Sequence, residues 1–540
     1  MGKTKRVSAL ALLVIMLLSG CGGGSSGTQA TVPGQSGGQT AGTEVSGGTG
    51  SGGADKTVIN IAMSENITKL DPHDVFNFPV FTACWMMYDT LIASDHEGNY
   101  SECLATEWSK SDDGLIWTFK LREGVKFQNG EAFDSADVVA TFQRLIDNPE
   151  LTCSLTYWSS LESVKAIDQY TAEIKLSEPF GPAEYAFSNT WIIPDEAWAA
   201  EGEKLWTEQK AVGTGPWQLV EWVDGQYTHF KKFEDSWDIY DTTLEEVYLR
   251  HILEPSTAIN GQLAGEVDAY LATGGVARDM LTMYTGTENK TEMVNVDVGI
   301  VHYLQPQCRE GSIFAEQKVR EALSLAIDRQ ELVDYVLGAG SVAAGIIPAG
   351  AIGYNQDLAP YEYNPEKAKS LLAEAGYNGE EFTIYTHTGI PMAKQLLTAI
   401  QDMLAQVGFN AKIEPVEVSA LNNIRKEGTY DVFLASNNNV GGDLYAHYNQ
   451  RVLNDGFHSN YKDDGMMELI RKSNNTTDSS ERTALIGKVN ERMRETFAPQ
   501  IALDQMQACY PINYGVTGLQ LYKDGFINAR YVKWDTSLLK

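Results

Sequence analysis

LATEWSKSDDGLIWTFKLREGVKFQNGEAFDSADVVATFQRL, residues 104–145, is the stretch whose reading decides the fold. Trp117, Phe119 and Leu121 fall at every second position, the period that puts side chains on one face of a strand. Val125 and Phe127 stand beyond the Arg122-Glu123-Gly124 turn, and Asn129-Gly130 is a strong turn signal. Asp134 is placed to cap a helix, with Asp137 three residues on. Val138, Phe142, Leu145 and Ile146 then form an apolar stripe at helical spacing. The stretch predicts a hairpin feeding a helix.

The same grammar extends in both directions. TVINIAMSEN (57–66) alternates like a half-buried strand. QKVREALSLAIDRQELVDYVLG (317–338) reads as two consecutive helices: Val319, Ala322, Leu323, Ala326 and Ile327 keep helical spacing. Asp328 and Glu331 make a capping-box-like restart, and Gly338 ends it. In NPEKAKSLLAEAGY (364–377), Asn364 caps, Pro365 takes the first turn, Ala368, Leu371, Leu372 and Ala375 face inward, and Gly376 terminates. EEFTIYT, NAKIEPVEV and YDVFLAS supply strands between helices, so the chain predicts an α/β architecture.

The chain begins MGKTKRVSALALLVIMLLSGC. Three early cations precede an apolar run that is shorter than the roughly 20 residues of a membrane span but suits a secretory signal, expected over 1–20. Residues 21–56 are nearly all small and polar after Cys21, too poor in apolar groups to fold, and read as a tether with an end-to-end distance of roughly 30 Å. With 72 acidic against 41 basic side chains the formal net charge is −31, which disfavours nucleic acid as a partner, because affinity there comes from neutralising phosphates. Five cysteines follow the tether, Cys84, Cys103, Cys153, Cys308 and Cys509. Their number is odd and no C-x-x-C occurs, so buried thiols and a Cys103–Cys153 bridge both stay open. G-x-S-x-G at 23–27 and 34–38, and G-x-G-x-x-G at 48–53, all lie in the tether, where no strand–turn–helix context exists. No H-E-x-x-H or Walker motif is present. The sequence therefore reads as that of a protein that is not an enzyme and implies no cofactor.

Several blocks together resemble the extracellular solute-binding proteins of peptide and nickel ABC importers. Residues 104–145 look like that family's signature block. GTGPWQLVEW (213–222) resembles its GTGPY strand, and IFAEQKVREALSLAIDRQELV (313–333) its A-I-D-R motif, with Ile313 in place of proline. NPEKAKSLLAEAGY and Leu70-Asp71-Pro72-His73 also match, and Leu18-Ser19-Gly20-Cys21 resembles the lipobox of bacterial lipoproteins. The resemblance implies a two-lobed periplasmic-binding-protein-like (type II) fold with an extra inserted subdomain. Lobe I is expected over 57–93, 213–298 and 508–540, its insert over 94–212, and lobe II over 299–507. It further implies a receptor without catalytic role, outside the cytoplasm, held to the cell membrane by lipid on Cys21. That receptor would deliver oligopeptides to permease subunits with their ATPases.

The resemblance also places the ligand. In the oligopeptide-binding branch the residues after LDPH meet the ligand backbone, which falls here on Phe76, Asn77 and Phe78. A ligand-facing aromatic of the insert falls on Tyr157 or Trp158. In YDVFLASNNNVGGDLYAHYN, Asn437, Asn438 and Asn439 stand where peptide binders carry a tryptophan. Asp443, displaced by about three positions, is the nearest counterpart of the aspartate that holds a peptide α-ammonium, and Tyr445 follows it. Asn amides both donate and accept, so they suit sugar hydroxyls as well as peptide backbone. An oligosaccharide is the alternative cargo, nickel a further one with only His447 near, and a surface peptide sensor without transport a third.

Overall fold

The computed structural model describes residues 56–539 except 75–77, 96–98, 239, 287–289, 388–389, 391, 438–441 and 455–457. Cys21 with the leader and tether, Phe76, Asn77, Asn438 and Asn439 lie outside the described residues. Among the described residues no helix is long and apolar enough to cross a membrane.

The fold is mixed α/β and two-lobed, and an eleven-stranded sheet runs through both lobes among the described residues. At one end Val58–Met63 lies between two parallel neighbours, Glu246–His251 and Ala269–Leu271. Tyr227–Lys232 and Trp217–Val223 extend that side antiparallel. At the other end Glu381–His387 lies parallel to both Asn410–Val416 and Val432–Ser436. Central strands need cover on both faces. Val58–Met63 meets this with Ile59 and Ile61 in one apolar cluster and Ala62 in another. Around Val432–Ser436, Val432 and Leu434 face one cluster, and Phe433 and Ala435 the opposite one.

Two long antiparallel strands, Thr291–Pro306 and Ile501–Asn513, join the halves. Their pairing runs from Thr291–Asn513 to Asp297–Gln507 and resumes at Val301–Gln505, so residues 298–300 oppose a single residue, 506. Such a bulge bends and twists the pair locally. The expected lobe divisions at 298/299 and 507/508 fall inside these two strands.

The opening stretch builds a separate four-stranded antiparallel sheet in the order Ala105–Lys110, Ile116–Leu121, Thr171–Leu176, Leu161–Asp168. Trp117, Phe119 and Leu121 are buried as their alternation predicts. Asp134 accepts from Ala136 N at 2.7 Å and Asp137 from Asp134 N at 2.8 Å, a reciprocal cap that starts helix Ser135–Asp147. Val138, Phe142 and Leu145 are buried; Ile146 is half-buried. The Asn129-Gly130 turn forms, but a single bridge, Lys126–Ala132, flanks it; the real hairpin turns at Gly114, where φ is +71°.

Two of the matched blocks meet in a buried ion pair. Arg144 Nη2 donates to Asp71 Oδ2 at 2.7 Å, and its guanidinium lies 4.9 Å from the Trp198 ring and 4.4 Å from that of Trp206. His73 is enclosed beside it: Nδ1 faces Arg144 at 2.7 Å and Nε2 faces Trp191 O at 2.8 Å. Burial and the neighbouring guanidinium lower its pKa to about 4, so the ring is neutral, accepting from Arg144 and donating to Trp191. All five cysteines of the described residues are free, so no bond joins Cys103 to Cys153. Burial pushes both thiols up to about 12.

Candidate functional site

Five separate segments close around one cavity of about 350 Å³. Glu65 follows the strand Val58–Met63, and Phe78 opens helix Phe78–Met87. Thr152, Thr156 and Tyr157 come from helix Thr152–Tyr157, and Tyr185 from Ala183–Phe187. Asp443, Tyr445, His447 and Arg451 come from the run after Val432–Ser436; Asp524 and Phe526 come from near the C-terminus. A second concavity, about 490 Å³ beside Gly353–Gln356 and Lys488, gathers none of the expected site residues.

The walls are aromatic. Phe78 and Phe526 pack with tilted rings at 4.5 Å, with Phe81 behind Phe526 at 4.5 Å. Tyr157 and Tyr185 meet edge to face at 5.7 Å, and burial raises the pKa of both. Tyr445 packs on Phe180 at 4.9 Å, inside the core of the four-stranded-sheet region. Such walls suit apolar parts of a ligand, with a few polar groups setting orientation.

Both charge signs line the cavity. Glu65 is half-buried and makes no ion pair among the described residues. Asp524 is buried, its Oδ1 accepting from Phe526 N at 3.1 Å. Arg451 is a desolvated guanidinium whose pKa burial lowers. His447 lies with Nε2 2.9 Å from Gln500 Oε1; burial, then Arg451, lower its pKa to about 3, so it is neutral. Among the described residues no three His, Cys, Asp or Glu side chains converge as a metal site would require.

The expected residues divide sharply. Phe78, Tyr157, Asp443 and Tyr445 share the cavity. Trp158 does not line it: its ring packs on Phe187 at 4.8 Å and Phe142 at 5.2 Å, and Nε1 donates to Thr190 at 2.8 Å. Asn437 is wholly buried, its amide accepting from Val301 N at 2.6 Å and donating to Ile346 O at 2.8 Å. Asp443 is on the wall, but the expected ligand ammonium would meet a carboxylate already engaged. Arg482 Nη2 donates to Oδ1 at 3.0 Å, Nη1 to Oδ2 at 2.5 Å, and Tyr445 N to Oδ1 at 2.8 Å.

Sequence reasoning missed Glu65, Tyr185, Arg451, Asp524, Phe526 and Arg482. Arg482 alone left a signal. It shares one face of helix Ser479–Thr496 with buried Leu485, Ile486, Val489 and Met493, and a charge on an apolar stripe demands a partner.

Residues 99–458 match a family described as bacterial extracellular solute-binding proteins, family 5 middle. The glutathione-binding protein GsiB of Escherichia coli K12 is 31% identical over 363 residues, 66% of this chain and 69% of that protein. Among solved structures, DppA of Helicobacter pylori in complex with the peptide STSA is 25% identical, with a TM-score of 0.74 over 88% of this chain and 98% of that one. NikA of Brucella suis with Fe(III)-EDTA shares the fold at 22% identity, with a TM-score of 0.80 over 89% and 100% of the two chains.

Proposed function

The chain belongs to the bacterial extracellular solute-binding proteins of family 5 and is the substrate-binding component of an ABC importer; from that premise we propose that it captures short peptides and is held to the membrane by lipid on Cys21. As a member of that family it is an extracytoplasmic receptor and not an enzyme. The observation that carries the peptide reading is the cavity's composition. Aromatic faces from Phe78, Tyr157, Tyr445 and Phe526 accompany carboxylates and a guanidinium in one enclosure, which matches a zwitterion with apolar side chains. A neutral sugar would offer the Glu65 carboxylate no ionic partner.

Length follows from size. About 350 Å³ lies at the low end of the roughly 300–1,000 Å³ typical of ligand pockets, which favours a few residues over a long peptide. Glu65 receives the peptide's α-ammonium, because Asp443 is engaged by Arg482. Arg451 supplies the cation at the opposite sign of the wall.

Native mass spectrometry of the protein purified from its own cells tests the cargo. Co-purifying short peptides are expected, and a sugar or a nickel chelate would contradict the reading. For the anchor, Cys21→Ala is expected to leave uncleaved precursor or release the protein from membranes; unchanged lipid-bound mature protein would contradict it.

A further inference from the structure

A cluster of contacts outside the cavity joins the four-stranded-sheet region to the opposite lobe. Gly181 N donates to Asn474 O at 2.6 Å, Lys110 Nζ to Thr477 O at 3.1 Å, and Asn475 Nδ2 to Glu178 Oε2 at 3.3 Å. One side is the end of strand Ala105–Lys110 with the loop between Thr171–Leu176 and Ala183–Phe187. The other is the C-terminal end of helix Asp464–Asn475 with the loop that leads to Ser479–Thr496.

Gly181 is the point of closest approach. A Cβ there would lie 2.5 Å from Thr476 O, 2.7 Å from Arg482 Nε and 2.8 Å from Arg482 Cδ. Its φ is outside the left-handed region, and the residue before a proline favours extended backbone open to any side chain. Glycine is required here by the neighbour, not by the turn. Beneath it lies Arg482, whose Nε donates to Ser473 O at 3.1 Å while both Nη atoms hold Asp443. Asp443 in turn accepts from Tyr445 N, and the Tyr445 ring packs on Phe180, one residue before Gly181. The network is a closed circuit: loop, guanidinium, carboxylate, aromatic ring, and back to the loop.

We propose that this circuit is a clasp that holds the lobes together, with Gly181 and Arg482 as positioning residues that set affinity for any cargo without touching it. Ligand affinity then contains a closing equilibrium common to every ligand. Asp443 acts in that equilibrium through Arg482, not through a ligand ammonium. The clasp rests on the receptor role; the identity of the cargo does not enter it.

Gly181→Ala is the test, since the backbone tolerates alanine while the facing loop does not. Small-angle scattering of the purified protein without added ligand should show a larger radius of gyration in the variant. Calorimetry with trialanine and with N-acetyl-trialanine should show both weakened at least about tenfold by the same factor, with the preference between them unchanged. An unchanged radius, or a loss confined to the free-amine peptide, would overturn the clasp. If neither peptide binds wild type, the scattering arm still decides the clasp, and that failure counts against the peptide reading alone. Should Gly181→Ala not fold, the exposed double variant Lys110→Ala/Asn475→Ala removes two of the seam's hydrogen bonds without touching a core. Expansion is expected there too, and wild-type dimensions would overturn the proposal.

Discussion

Two of the buried guanidinium–carboxylate pairs among the described residues have the same chemistry and different positions. Arg144–Asp71 lies within the expected first lobe, flanked by Trp198 and Trp206, with Glu203 3.1 Å from the same guanidinium. Arg482–Asp443 lies inside the other expected lobe, but directly under the seam, where Arg482 faces Gly181 and Asp443 lines the cavity wall. Within a lobe such a pair fixes how the chain is threaded. Under a seam it sets the surface on which Phe180 and Gly181 of the other body rest, and so it couples to binding.

The comparison breaks if the two pairs respond alike. Arg144→Leu strands Asp71 in a site without solvent, where losing one partner costs about 3–5 kcal/mol. The expected result is a large drop in the urea midpoint, with ligand affinity of the folded protein changed far less. Arg482→Gln strands Asp443 likewise and is expected to lower the midpoint and, unlike Arg144→Leu, ligand affinity as well. Equal effects of both on both readouts would erase the distinction.

The surroundings of the first pair also give a pH dependence. His73 is neutral with a folded pKa of about 4 against an ordinary 6.5. The unfolded chain therefore binds its proton first as pH falls, so stability is fully present above about 6.5 and is lost progressively toward pH 4. The shift amounts to about 3 kcal/mol at the acid end. A His73→Gln variant, keeping a donor and an acceptor, is expected to show a flatter dependence of melting temperature over that window; an unchanged slope would count against the assignment.

Local elements were legible because their signals are local. The Asp134–Asp137 cap, the alternation of Trp117, Phe119 and Leu121, and the Asn364-Pro365 helix start each need only a few neighbours, and each appears where its spacing puts it. The two-lobed plan came from the order of matched blocks. What spacing could not show is that both crossings occur within continuous strands: residues 298–306 are buried without a break, a pattern that reads equally as a core strand of one lobe. The site was half legible for the same reason. Phe78, Tyr157, Asp443 and Tyr445 follow from block positions, whereas Asp443's partner lies 39 residues away, and nothing near Asp524 or Phe526 connects them to Glu65. Asn437 shows the limit most plainly: its residue type suits a ligand, and its position makes it a clip between Val301 and Ile346.

The smallest and most specific effect is expected at Glu65, the cavity carboxylate without an ion pair among the described residues, and it tests directly whether the cavity is a peptide site. Isothermal titration of wild type and Glu65→Gln with trialanine and N-acetyl-trialanine gives the coupling between the carboxylate and the α-ammonium. Glu65→Gln is expected to weaken trialanine about tenfold, equivalent to about 1.4 kcal/mol, and to leave the acetylated peptide within about twofold of wild type. Equal losses for the two peptides, or no binding of either to wild type, would contradict it.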